Sequence, residues 1–290
     1  MLRTKDCLIK TPSGAFAARD YGGAGRDILF VHGTGHNLEV WAPLSDLLRE
    51  HFHLTAFDMR GHGQTPAVSA SPEQYWRDIG PVAAALGLKN PLLVGHSTGG
   101  YALTAYAASG GDCSAIAILD GFTLDNRKTP EEAKGWYLPK EQLWEMFRYG
   151  WRTGEAEKEA YVAQVCAKAP GDWLNAGLDP ALIAAFTRRA FLQAGNAWVR
   201  RPTMEEIAIV SNPDPAAEMY PSVDIYDKVT VPAAFVFAAK GLYANRRKDA
   251  ETAVSKKPNR LFIPVEAAHN LHMQKPAEVA DGILKLAALI

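Results

Sequence analysis

The sequence predicts an α/β protein: a mainly parallel sheet with helices on both faces, interrupted by an inserted helical block. Three observations carry this. Short apolar runs alternate with amphipathic stretches over residues 1–121. The alternation resumes at residue 228 and continues to 290. Between them, residues 122–227 carry helical patterns and no convincing strand. Alternating strands and helices make parallel sheets, because each crossover covers a face. The expected domains are a core of 1–121 and 228–290 and a helical insertion of 122–227. An insertion at that point lies over the carboxyl ends of the strands, where open parallel sheets bind ligands.

The elements follow in order. Ala15–Tyr21 and Asp27–Val31 read as strands, the second ending in His-Gly. Val40–Glu50 has helical spacing, and His53–Asp58 is a further strand. Pro72–Leu86 reads as one helix with proline near its start, where a missing N–H costs little. Pro91–Val94 is a short buried strand, Thr98–Ala108 an alanine-rich helix, and Ala115–Leu119 another strand. The insertion holds five of the seven tryptophans (Trp136, Trp144, Trp151, Trp173 and Trp198) and closes with the proline-rich SNPDPAAEMYPS. Then come strand Ala233–Ala239, helix Arg246–Ser255, strand Arg260–Pro264 and helix Ala277–Leu289.

Composition excludes several function classes. A formal net charge of −1 over 290 residues gives no field that favours nucleic acid or an anionic membrane. Hydrophobic residues at 48% suffice for a sizeable core, yet no run approaches the roughly 18 apolar residues of a membrane span. Cys7, Cys113 and Cys166 are odd in number and far apart, so they suggest neither a disulfide framework nor a metal site. The polar start MLRTKDCLIKTPSG lacks the apolar run of a signal peptide. A cytoplasmic location is the expectation, and the oligomeric state is left open.

Gly95-His96-Ser97-Thr98-Gly99 is the strongest local signal. A strand precedes it and a helix follows, so Ser97 falls on a tight turn with its hydroxyl held in the open. Glycines on either side remove side chains that would collide there. The turn aims the helix N-terminus and the Thr98 N–H at the place where an oxyanion would form. Val31-His32-Gly33-Thr34-Gly35-His36 ends an earlier strand, and the Thr34 N–H is the candidate second donor. Ser97 needs a base to become nucleophilic. His32, His36, His62 and His96 lie in glycine-rich turns, and His51 and His53 flank a strand. His269 is the first histidine after the last strand, in a loop of small residues, and is the expected base; His272 is a helix-side bystander.

The order of HGTG, DMRGHG at Asp58–Gly63, GHSTGG at Gly95–Gly100 and AHNLHMQKP at Ala268–Pro276 resembles the α/β-hydrolase superfamily. The resemblance covers about residues 12–121 and 228–290; the insertion matches only in position and character. It implies an eight-stranded, mostly parallel sheet with a helical cap, and no metal or organic cofactor. It also implies a triad in the order serine, acid, histidine. By position it carries the nucleophile onto Ser97, the base onto His269 and the oxyanion donors onto Thr34 and Thr98.

The acid departs from the pattern. In most relatives it follows the strand after the cap, but here that strand runs into Phe237-Ala238-Ala239-Lys240-Gly241-Leu242-Tyr243, with no carboxylate. Some branches place the acid one strand earlier, at the end of the strand preceding the cap, where this chain has Asp120. Asp120 is therefore the expected acid, ahead of Glu266 and Asp249. Asp58 and Arg60 are expected to pair and brace loops.

The resemblance implies that haloalkane dehalogenases and epoxide hydrolases carry aspartate at the elbow, so Ser97 points instead to attack on an acyl carbon. The expected function is cofactor-free hydrolysis of a carboxylic ester or lactone through an acyl-enzyme on Ser97. Acyl transfer, perhydrolysis or carbon–carbon hydrolysis by the same triad is the alternative, as is a weakly catalytic ligand-binding protein of the same fold. The expected partner is a small molecule with an apolar or aromatic acyl part. Trp136 and Tyr137, then Trp144, Phe147 and Trp151, fall at steps of three, four or seven to eight residues, so several could share one helical face. They either glue the insertion to the core or line the substrate pocket, with His36 as a further pocket candidate.

Overall fold

The computed structural model describes residues 5–133, 140–211 and 213–290. The chain opens with β1 (Lys5–Thr11), β2 (Gly14–Gly22), β3 (Arg26–Val31), β4 (Phe52–Phe57), β5 (Leu92–His96) and β6 (Ala115–Leu119). The segment after β6 contributes β7 (Arg152–Thr153), β8 (Phe191–Ala194) and β9 (Ala197–Arg200), and the chain closes its sheet with β10 (Ala233–Lys240) and β11 (Arg260–Ala268). Among the described residues the large sheet has eight strands in the order β1-β2-β4-β3-β5-β6-β10-β11. β2 pairs antiparallel with β1 and β4, and the pairs from β4 to β11 are parallel.

The central strands are apolar throughout because helices cover both faces. Ile28, Phe30, Leu92 and Val94 pack into the core on one side, and Leu29, Val31 and Leu93 into the core on the other. This is the period-two alternation of a strand buried twice.

The sequence reading misses β1, whose residues are mostly exposed and carry no apolar alternation. It ends β11 too early at Pro264, although the strand runs on to Ala268. β11 is an edge strand, where a proline without an N–H is tolerated. The single helix expected over Pro72–Leu86 is two short ones, Gln74–Arg77 and Ile79–Ala85, which meet at Asp78. Pro81 cannot donate to the carbonyl of Arg77, so the helix cannot run through.

The expectation of a purely helical insertion is corrected. Besides the helices Glu155–Lys168, Pro180–Arg189 and Met204–Val210, it holds a three-stranded antiparallel sheet in the order β7-β9-β8. Gly195-Asn196, with Gly195 at φ +64°, forms the two-residue turn between β8 and β9. Gly-Asn between two short strands is a hairpin signal that the sequence did contain.

The inserted segment hooks onto loops at the carboxyl ends of the parallel strands. Asn37 Nδ2 donates to the Phe186 carbonyl at 2.8 Å, and Gln64 Nε2 donates to the carbonyls of Arg189 and Phe191, each at 2.8 Å. Arg201 Nε donates to the Gly61 carbonyl, and Asn270 Nδ2 to that of Leu174. Asp58 and Arg60 do not pair with each other, correcting the expectation. Buried Asp58 binds Arg189 of the insertion at 2.9 Å, while Arg60 binds Asp78 at 2.8 Å.

Candidate active site

β5 ends at His96 and the helix Thr98–Ala108 begins one residue later, leaving Ser97 alone in the turn at φ +54°, ψ −123°. A non-glycine residue there carries strain of about 1–3 kcal/mol, which the surrounding packing must hold. The packing is close. A Cβ on Gly95 would lie 2.3 Å from Leu103 Cδ2, and one on Gly99 would lie 2.1 Å from the Val31 carbonyl oxygen. Glycine at both positions lets the helix press onto β3 and β5.

β6 runs beside β5, with His96 opposite Leu119. The Ser97 N–H donates to the Leu119 carbonyl at 3.0 Å, so the residues just after β6 lie against the elbow. Asp120, fully buried, also takes a positive φ of 44°. Its Oδ2 accepts from His269 Nδ1 at 2.7 Å and from the Leu242 N–H at 3.0 Å; its Oδ1 has no hydrogen-bond partner among the described residues. With the proton on Nδ1 facing a carboxylate, the His269 Nε2 lone pair is free to accept one.

Gly241 explains the departure from the usual acid position. A Cβ there would sit 2.2 Å from Asp120 Oδ2, so the Asp120 carboxylate occupies the space a side chain at 241 would need. Glu266 is 74% exposed beside Lys240, and Asp249 is bound to Arg246 on an outer helix. Neither contacts His269.

The turn after β3 packs onto the elbow from the other side, since a Cβ on Gly33 would meet Ser97 Cβ at 2.8 Å. Across this contact Thr34 Oγ1 and Thr98 Oγ1 are hydrogen-bonded at 2.8 Å. The structure therefore brings Ser97, Asp120, Thr34 and Thr98 into one cluster, with His269 tied to Asp120.

Behind this cluster lies a group of buried histidines. The His96 ring sits 4.5 Å from that of His269 and 4.4 Å from that of His272. His96 Nε2 faces the His269 carbonyl oxygen at 2.9 Å, which requires the proton on Nε2. Burial pushes the pKa of His36 down to about 3 and that of His62 to about 4, and holds His32, His96 and His272 well below the usual histidine value. These rings are neutral packing groups.

A cavity of about 380 Å³ opens at Ser97, Thr34 and Thr98. Its walls are Tyr75, Trp76, Tyr101, Phe122, Tyr220 and Tyr243, with Glu73, Asp125, Lys128 and Arg246 also on its lining. Of the sequence's pocket candidates, the described His36, Trp144 and Trp151 are not among them. Trp151 packs edge-on against Tyr161 and Phe191 within the insertion. Trp144 is 36% exposed with the Arg148 guanidinium over its ring. His36 is walled in between His96 and Phe186. Trp136 and Tyr137 lie outside the described residues. The true walls come from five separate stretches of chain, and no local pattern joins them. Among the described residues no cluster of three or more histidine, cysteine or acidic side chains is arranged to hold a metal ion, and no helix is long and apolar enough to cross a membrane.

A family model described as "Alpha/beta hydrolase family" matches residues 28–282. The chain belongs to the alpha/beta hydrolase family. Its fold is the alpha/beta hydrolase fold. It is similar to a non-heme haloperoxidase of Rhodococcus erythropolis, 37% identical over 103 residues, which are 34% of this chain and 38% of that one. It is also similar to a bifunctional esterase/perhydrolase of Acinetobacter calcoaceticus, 36% identical over 84 residues, 28% of this chain and 30% of that one. Each alignment thus spans well under half of the curated relative. Among solved structures, that of an E-2-(acetamidomethylene)succinate hydrolase superposes with a TM-score of 0.73 at 19% identity, covering 99% of this chain and all of that one.

Proposed function

We propose that this hydrolase cleaves a carboxylic ester or lactone through an acyl-enzyme on Ser97. The supporting observation is the strained Ser97 turn beside the Asp120–His269 pair at 2.7 Å. In this reading His269 Nε2 takes the Ser97 proton as the oxygen attacks the acyl carbon. The backbone N–H groups of Thr34 and Thr98 receive the oxyanion, and Asp120 holds the imidazole tautomer and stabilises the imidazolium. The tetrahedral intermediate collapses as His269 protonates the leaving group. Water, deprotonated by His269, then attacks the acyl-enzyme and returns Ser97 to its hydroxyl form. The inserted segment acts as the cap, and the cavity takes an apolar or aromatic acyl part of a small-molecule substrate.

Stopped-flow release of p-nitrophenol from p-nitrophenyl butyrate tests this. A burst is expected in the native protein and none in Ser97→Ala; undiminished turnover by Ser97→Ala overturns the reading. The esterase/perhydrolase relative favours a second fate for the same acyl-enzyme, in which hydrogen peroxide takes the acyl group as a peracid. Peracid formed with hydrogen peroxide present, and lost in Ser97→Ala, is the measurement that distinguishes it.

A further inference from the structure

The insertion leaves and rejoins the core through two segments that also wall the cavity at Ser97. Phe122, Leu124 and Asn126 come from the outgoing segment, and Ala217, Met219 and Tyr220 from the returning one. The two are held differently. Arg246 of the core donates to the Leu124 carbonyl at 3.0 Å and to Asp125 at 2.7 Å, so the outgoing segment is fastened to the core. The returning stretch 213–221 forms neither helix nor strand. Its Pro213, Pro215 and Pro221 have no backbone N–H to donate. Beyond it the backbone takes over, with the Val223 N–H donating to the Asp125 carbonyl at 2.8 Å.

The returning stretch is held chiefly by one side chain from the outgoing segment. Arg127 Nη1 donates to the carbonyls of Pro215 at 2.8 Å and Ala217 at 2.7 Å. Its Nη2 donates to the Glu218 carbonyl and to the Asp224 carboxylate, each at 3.4 Å. The same guanidinium lies over the Tyr220 ring, 5.3 Å from its centre. A planar fork of donors can bridge several carbonyls at once, which a single ammonium cannot. Tyr101, on the helix Thr98–Ala108, adds one bond to the Met219 carbonyl at 2.5 Å. Arg127 itself is not among the residues lining the cavity, so it can reach a substrate only through the wall it holds.

We propose that Arg127 is a positioning residue for substrate selection. By latching the loop 213–221 it fixes the wall that carries Tyr220, and so the size of acyl group the enzyme prefers. This rests on the Ser97 reading, which puts the acyl group in the cavity. Without the latch the wall is in place only part of the time. Affinity for an acyl group that leans on it then falls by that fraction, while the chemistry at Ser97 is untouched.

The experiment compares p-nitrophenyl acetate with p-nitrophenyl 4-phenylbutanoate in Arg127→Met, which keeps a long side chain and removes the donors. An acetyl group fills little of a cavity of about 380 Å³, whereas a phenylbutanoyl group presses on its walls. The KM for the phenylbutanoate should rise about tenfold with kcat unchanged, and both constants for the acetate should stay native. Tyr220→Ala should also raise the phenylbutanoate KM, and adding Arg127→Met to it should raise KM no further, because the two act through one wall. A second readout needs no turnover. Glu218 is 77% exposed at its side chain and its carbonyl accepts from Arg127. A glutamate-specific endoproteinase should cut after Glu218 about tenfold faster in Arg127→Met at a near-native Tm, since a loop can open without global unfolding. An unchanged phenylbutanoate KM, an equal loss with the acetate, additive effects in the double variant, unchanged cleavage or a large fall in Tm overturns the latch. A native protein that releases no nitrophenol sinks the acyl-enzyme reading instead, and the proteolysis still decides the latch.

Discussion

At the scale of single residues, two strained positions mark the candidate site: Ser97 at φ +54° and Asp120 at φ +44°, on neighbouring strand ends. Both were legible in the sequence, by different routes. Ser97 sits in a contiguous glycine-flanked motif, and Asp120 emerges only because residues 240–243 contain no carboxylate. Their juxtaposition makes sharp predictions. Asp120→Asn should lower kcat by about three to four orders of magnitude, since an amide stabilises the wrong imidazole tautomer. Near-native single-turnover rates in that variant would assign the acid elsewhere. Gly241→Ala places a methyl group 2.2 Å from Asp120 Oδ2. It should cost about 1–3 kcal/mol of stability as an overpacked site. It should also displace the carboxylate from His269, so kcat should drop together with the urea midpoint.

The elements divide the aromatic residues between two tasks. Trp151, Tyr161 and Phe191 interlock inside the insertion, whereas Trp76, Tyr101 and Tyr220 face the cavity. Trp151→Ala should therefore lower stability by about 2–4 kcal/mol while leaving the acyl chain-length profile of kcat/KM unchanged. Trp76→Ala should shift that profile toward longer chains. A shifted profile in the first variant and none in the second would reverse the division. The insertion is anchored by ions as well. Arg189 on helix Pro180–Arg189 meets the fully buried Asp58, which also accepts from the N–H groups of Leu38 and Gln64. Removing the guanidinium in Arg189→Met leaves a buried carboxylate without its counter-charge, at a cost of about 3–5 kcal/mol in urea unfolding.

Across the whole molecule the buried histidines determine the response to acid. His36 is neutral down to about pH 3 and His62 to about pH 4, with His32, His96 and His272 also depressed by burial. In the unfolded chain each takes up a proton below about pH 6.5. The unfolded state thus binds more protons from about pH 6.5 down to about pH 4. Stability is fully present above that window and is lost as pH falls through it, by about 1.4 kcal/mol per pH unit for each such histidine. Thermal melts between pH 7.5 and pH 4.5 should show a steep fall in Tm below pH 6.5. His272→Leu should make the fall shallower, because both ring nitrogens of His272 are buried without hydrogen-bond partners among the described residues. A flat Tm across the range would contradict the argument.

The sequence alone determined the parallel strands, the elbow at Ser97, the break in the chain after β6 and the candidates His269 and Asp120. Each of these is written in a few consecutive residues, as an apolar run, a glycine turn or the order of motifs. Tertiary structure decided the rest. The cavity walls, the partner of Asp58 and the Thr34–Thr98 bond all join residues distant along the chain. Periodicity and local turn chemistry reach only a few residues; which distant side chains share a surface is set by how the loops and the insertion dock.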